Sequence, residues 1–159
     1  MPKVKMILNG CIPMALITVA LMAPTIAGAA GSIKIWPDQL IPTDPNTGDY
    51  WQSVHNAGNG NFHAPLKLPV GARITKITYY HLGRSSEAST FLNVYSIKMG
   101  AYAQPVGSGS STDSTETNIP VEVVLFGDGI IKAGYRYYIT VYSANEDSYF
   151  WGVKINYQA

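Results

Sequence analysis

Few residues of this 159-residue chain could do chemistry, and their spacing joins none of them into a reaction centre. Its three histidines, His55, His63 and His81, fall in no His-x-Glu, HExxH or paired-His pattern, so no metal-ligand set can be read along the chain. His55 and His63 could converge in space on Asp38, Asp44 or Asp49, but polar residues at strand ends explain the same positions. The run Asp44-Pro45-Asn46-Thr47-Gly48-Asp49 offers carboxylate and amide oxygens at alternate positions, as a hard cation such as calcium requires. It lacks a glycine at the sixth place and a bidentate glutamate at the twelfth, and Asx-turn chemistry accounts for the same residues. The serines between Gly107 and Ser114 stand outside any G-x-S-x-G elbow. A glycosidase needs two carboxylates across a cleft, whereas Glu87, Glu116, Glu122 and Glu146 lie in loops or on a polar strand face. These grounds assign no catalytic residue, no metal site and no cofactor.

Aromatic side chains carry the richer pattern. Along Tyr135 to Tyr142, Tyr135, Tyr137, Ile139 and Val141 point one way, and Arg136, Tyr138, Thr140 and Tyr142 the other. Tyr138 and Tyr142 therefore stand opposite the core residues of their strand, ~13 Å apart at ~3.3 Å per residue. Phe150 joins them if the next strand keeps the same orientation, and Trp51 is a further ring within reach of such a site. Flat rings in a row can stack on sugar rings or on a neighbouring subunit, giving contact area at small entropic cost. Tyr138, Tyr142, Phe150 and Trp51 are the ligand-binding candidates; a sheet face covered by loops, or a strand buried on both sides, would also explain the rings.

The elements that must hold these residues are strands. Ser148 to Tyr157 sets Trp151, Val153, Ile155 and Tyr157 on one face, with Gly152, Lys154 and Asn156 opposite. Further runs at Ser32 to Trp36, Tyr50 to His55, Phe62 to Leu68, Ala72 to Leu82, Thr90 to Met99 and Pro120 to Phe126 also read as strands. Within Ala72 to Leu82 the alternation of Ile74 with Ile77 and Tyr79 slips by one, which a one-residue bulge near Lys76 repairs. Gly107 to Asn118 is a glycine- and serine-rich low-complexity run and is expected to be a mobile loop. The last two strands form either a hairpin or a pair in opposite sheets. About eight short strands without a helix predict an all-β fold: a single two-sheet β-sandwich, jelly-roll-like.

Ahead of them, Lys3 and Lys5 precede an apolar run that closes in Ala27-Gly28-Ala29-Ala30, the pattern of a secretory signal peptide. Residues 1–30 are thus expected to be the leader and residues 31–159 the domain, with cleavage after Ala29 or Ala30. Cys11 falls within that leader, so the mature chain has no thiol, disulfide or cysteine-bound metal. Removing Lys3 and Lys5 takes 11 basic residues to nine against ten acidic ones. A net charge near −1 offers nothing to nucleic acid and no pull toward an anionic membrane.

The run Leu68-Pro69-Val70-Gly71-Ala72-Arg73-Ile74 resembles the LP-x-GA-x-I opening strand of small secreted bacterial β-sandwich proteins. Tyr135-Arg136-Tyr137 through Gly152-Val153-Lys154-Ile155-Asn156-Tyr157 is similar to that group's Y-x-Y and GV-x-I-x-Y ending. The resemblance covers about the last two-thirds of the chain. It implies a jelly-roll-like sandwich and export, and it supplies no active residues.

Three functions remain open. The first is a secreted, non-enzymatic structural or surface-interaction protein that pairs with itself through the Ser32 to Trp36 edge or the tyrosine face. The second is a carbohydrate-binding module, with a glycan as partner. The third is a small secreted hydrolase. An eight-stranded outer-membrane barrel is a weaker rival, since it needs an apolar outer band on every strand. No membrane insertion is expected once the leader is cut.

Overall fold

The computed structural model describes residues 28–43, 56–57, 60–145 and 147–159. Residues 1–27 of the expected leader, the Asp44 to Asp49 run, the expected strand Tyr50 to His55 with Trp51, and Glu146 lie outside the described residues. Among the described residues no helix is long and apolar enough to cross a membrane.

Eleven strands are described: β1 (Ala30–Ile35), β2 (Ile41–Pro42), β3 (Asn56–Ala57), β4 (Gly60–Leu66), β5 (Arg73–Gly83), β6 (Thr90–Lys98), β7 (Gln104–Ser111), β8 (Ile119–Glu122), β9 (Val124–Leu125), β10 (Tyr135–Ser143) and β11 (Ser148–Gln158). A single 3-10 turn, Pro37–Gln39, follows β1. One sheet runs β1-β11-β5-β8, with β3 also on β11, and the other β2-β4-β10-β6-β7-β9. The fold is the expected two-sheet sandwich, and chain neighbours repeatedly change sheets, as in a jelly roll. The last two strands sit in opposite sheets, each central in its own. Between the sheets Ile77, Tyr79, Ile155 and Phe150 from one side meet Leu92, Val94, Ile139 and Val141 from the other, all fully buried.

Two bulges reset the alternation. Asn156 opposes Lys76 and Tyr157 opposes Ile74, so Thr75 is the extra residue that turns both Ile74 and Ile77 inward. On β11, Phe150 opposes His81 while Gly152 opposes Tyr80, leaving Trp151 as the second extra residue.

Two expectations are corrected. The run from Gly107 is no mobile loop: its first residues complete β7, paired along β6. A Cβ on Gly107 would stand 2.9 Å from the Val124 carbonyl oxygen, and one on Gly109 3.2 Å from that of Glu122. Small residues there allow a close backbone approach, which their composition disguises as disorder. Nor is Pro120 to Phe126 one strand. It divides at buried Val123 into β8, in one sheet, and β9, in the other.

Candidate functional site

The outer face of the six-stranded sheet is built by β10 and its neighbours. Residues directly opposite one another in antiparallel strands project to the same side, so register converts into rows of side chains. Tyr138 opposes Pro65 on β4 and Tyr95 on β6, and Tyr142 opposes Asn61 and Phe91. The Tyr95 and Tyr138 rings are stacked, with centroids 5.4 Å apart and planes 21° apart. Phe91 and Tyr142 form a tilted pair at 5.9 Å, with 39% and 36% of their surfaces exposed. Each ring thus braces another across the strands, which holds its rotamer before anything binds.

Between the two ring pairs runs a polar row: His63, Thr140, Asn93 and Ser108, in adjacent strands. All four are half-buried and alternate with core residues of their strands, which sets them on the outer face. Ile41 and Val124, both exposed, extend this row to the sheet edges. Beside it opens a shallow hollow of about 400 Å³ lined by Phe91, Asn93, Ser108 and Ser110. The platform is therefore two apolar bars with a hydrogen-bonding strip between them.

The structure brings together Tyr138 and Tyr142 as expected, and adds Tyr95 and Phe91. It removes Phe150. That ring is fully buried, stacked on Tyr79 with centroids 6.3 Å apart, because the extra residue Trp151 turns Phe150 to the core side of its strand. Tyr95 and Phe91 were missed because strand order is absent from the sequence. Their alternation with Leu92 and Val94 was visible, but not which strand would lie beside them.

The histidines divide between environments. His63 is half-buried in the polar row, whereas His81 is buried in the other sheet. Its Nε2 lies 3.0 Å from the Asp113 carbonyl oxygen and its Nδ1 meets the Thr90 hydroxyl. A carbonyl can only accept, so Nε2 carries the ring hydrogen and Nδ1 accepts from Thr90. Burial holds the ring's pKa below its ordinary value, against an opposing pull from Asp113. Burial likewise raises the Tyr79 hydroxyl, which donates to the Thr90 carbonyl at 3.0 Å, well above the usual tyrosine range. Among the described residues no three His, Cys, Asp or Glu side chains are grouped to hold a metal ion.

No protein-family model matches the chain, and no curated protein matches it in sequence. Solved structures similar to it include the CBM36-1 domain of a multidomain xylanase from the hindgut metagenome of Trinervitermes trinervoides, at 12% identity and a TM-score of 0.47 over 79% of this chain and 96% of that one. TmCBM61, solved in complex with beta-1,4-galactotriose, is similar at 9% identity and a TM-score of 0.40 over 82% of this chain and 88% of that one. Eiger TNF from S. frugiperda is similar at 12% identity and a TM-score of 0.39, covering 84% and 93% respectively. Likenesses of this strength carry nothing about ligand or partner.

Proposed function

We propose that this chain is an exported, non-enzymatic glycan-binding sandwich whose platform is the outer face of the six-stranded sheet. The observation that carries this reading is the pairing of Tyr95 with Tyr138 and of Phe91 with Tyr142 on either side of the polar row. A pyranose presents an apolar C–H face and a rim of hydroxyls. The ring pairs match the first and His63, Thr140, Asn93 and Ser108 the second. Because the rings already brace each other, little rotamer freedom is lost on binding. A flat platform suits an extended polysaccharide lying across the strands rather than a single sugar in a pocket.

Pull-down on insoluble neutral polysaccharides, followed by titration with oligosaccharides of the one retained, tests the platform. Tyr138→Ala and Tyr142→Ala are each expected to weaken binding roughly tenfold, which is ~1.4 kcal/mol. Silence across the polysaccharides, or full binding by both variants, removes the reading.

A second reading, self-association through a sheet edge, has one observation in its favour: among the described residues β1 is the outermost strand of its sheet and is paired on one side only, to β11. Lys34 on that strand works against open-ended pairing. Concentration-dependent light scattering abolished by a proline within β1 supports it, and a monomer at all concentrations removes it.

A further inference from the structure

The opposite side of the sandwich, the outer face of the β1-β11-β5-β8 sheet, carries a hollow of about 260 Å³. Trp36, Tyr80 and Trp151 wall it, Lys34 and Lys154 line it beside them, and Asn118 stands on its rim. The bulge on β11 makes this space. Gly152 opposes Tyr80 with φ +121°, and a Cβ there would come within 2.9 Å of the Ile35 carbonyl oxygen. Gly152 thus lets the backbones of β11 and β1 come close beside the rings that line the hollow. Trp36 is 54% exposed, which is costly for so large an apolar surface unless something covers it.

The two lysines add a second, independent sign. Lys34 and Lys154 are directly opposite each other in the β1–β11 pairing, an arrangement that is destabilising for like charges. Among the described residues the ion pair on this sheet joins Lys76 to Glu122 at 2.9 Å, and neither Lys34 nor Lys154 forms one. The Lys34 ammonium instead lies 5.8 Å from the centre of the Trp36 ring, at the aromatic wall. Two cations facing each other beside three rings form a site that an anion would relieve.

We propose that this hollow is a second binding site, for an anionic sugar unit (a uronate or a sulfated pyranose), whose ring face packs on Trp36, Tyr80 and Trp151 while Lys34 and Lys154 hold its acid group. The volume lies just under the ~300 Å³ at which pockets for drug-sized ligands begin, which fits one ring of a longer chain. The site is on the other sheet from the tyrosine platform and rests on none of its residues.

Affinity electrophoresis of the domain through gels containing polygalacturonate or dextran sulfate tests it. The expected result is retardation by at least one polymer, weakened at least tenfold in the Lys34→Gln/Lys154→Gln variant and in Trp36→Ala. Retardation by polygalacturonate assigns a carboxylate, and retardation by dextran sulfate alone a sulfate ester. Lys67→Gln/Lys98→Gln, which makes the same change of charge at exposed positions elsewhere, is expected to keep full retardation. Equal losses in the two lysine pairs overturn the proposal as general charge attraction, as do an unchanged Trp36→Ala or no retardation by either polymer. Neutral-polysaccharide binding by Lys34→Gln/Lys154→Gln is expected to be unchanged, so the two sites fail separately.

Discussion

The imidazole of His81 is held at both nitrogens by groups nine and 32 residues away in sequence, the Thr90 hydroxyl and the Asp113 carbonyl. Neither partner could be read from residues near His81, so a histidine that the sequence offers as a candidate reagent becomes a strut. Because burial lowers its pKa, the folded chain takes up a proton less readily than the unfolded chain, whose histidine titrates near 6.5. The sign follows. Above pH 6.5 both states hold the ring neutral and stability is undiminished. As pH falls below 6.5 the unfolded state gains protons that the folded ring refuses, so stability drops until the pH passes the folded ring's own pKa. Urea unfolding at a series of pH values from 8 to 5 is expected to show that decline. His81→Phe should flatten it and cost ~1–3 kcal/mol above pH 6.5, by leaving the Thr90 hydroxyl and Asp113 carbonyl without their partner, with the difference narrowing as pH falls. A decline that persists unchanged in His81→Phe assigns the pH dependence to other groups.

Strand β11 shows what one inserted residue does to a face. Strict alternation would put Phe150 on the outer face of its own sheet, across the sandwich from Tyr138 and Tyr142, whereas the bulge at Trp151 makes Phe150 core and leaves the next ring at the Trp36 hollow. The signal was present, since a glycine inside a strand marks a bulge or a close backbone approach, and Gly152 is both. The same slip was legible in β5, where Ile74, Ile77 and Tyr79 could not share a face without an extra residue. It was not legible in β11, where Trp151, Val153 and Ile155 mimic an unbroken period of two. Likewise β7 could be seen as a strand only once β9 and Val123 lay against its glycines. Tyr138 and Tyr142 were readable from one strand's alternation, but the rings that complete the platform needed the neighbouring strand. Gly152→Ala tests the bulge directly. With a positive φ and the Ile35 carbonyl oxygen 2.9 Å away, the substitution is expected to cost ~1–3 kcal/mol. Thermal denaturation should show the lowered midpoint, and one equal to that of the parent protein means that the strand passes this point without strain.

At the scale of the whole molecule, the order of the strands makes the end of the chain decisive. Every strand of the six-stranded sheet has been made once β10 ends at Ser143, but the other sheet still lacks β11, which pairs with β1, β3 and β5. Until β11 docks, β1 has no partner, and the inner face of Leu92, Val94, Ile139 and Val141 has no complete second layer against it. Closing the sandwich requires pairing β1 with β11, Gly31 opposite Tyr157, so the contacts that complete it are among the most distant in sequence. Such non-local pairing places folding in the millisecond-to-second range typical of sandwiches. A chain ended after Ala144 retains all of one sheet, yet a lone sheet with one bare apolar face has nothing to bury it. Such a chain is expected to bind ANS, to lose its near-ultraviolet circular dichroism and to show no cooperative urea transition. A sharp two-state transition in the shortened chain would mean that the six-stranded sheet finds a second layer without β11, and the two-layer account of stability would fail with it.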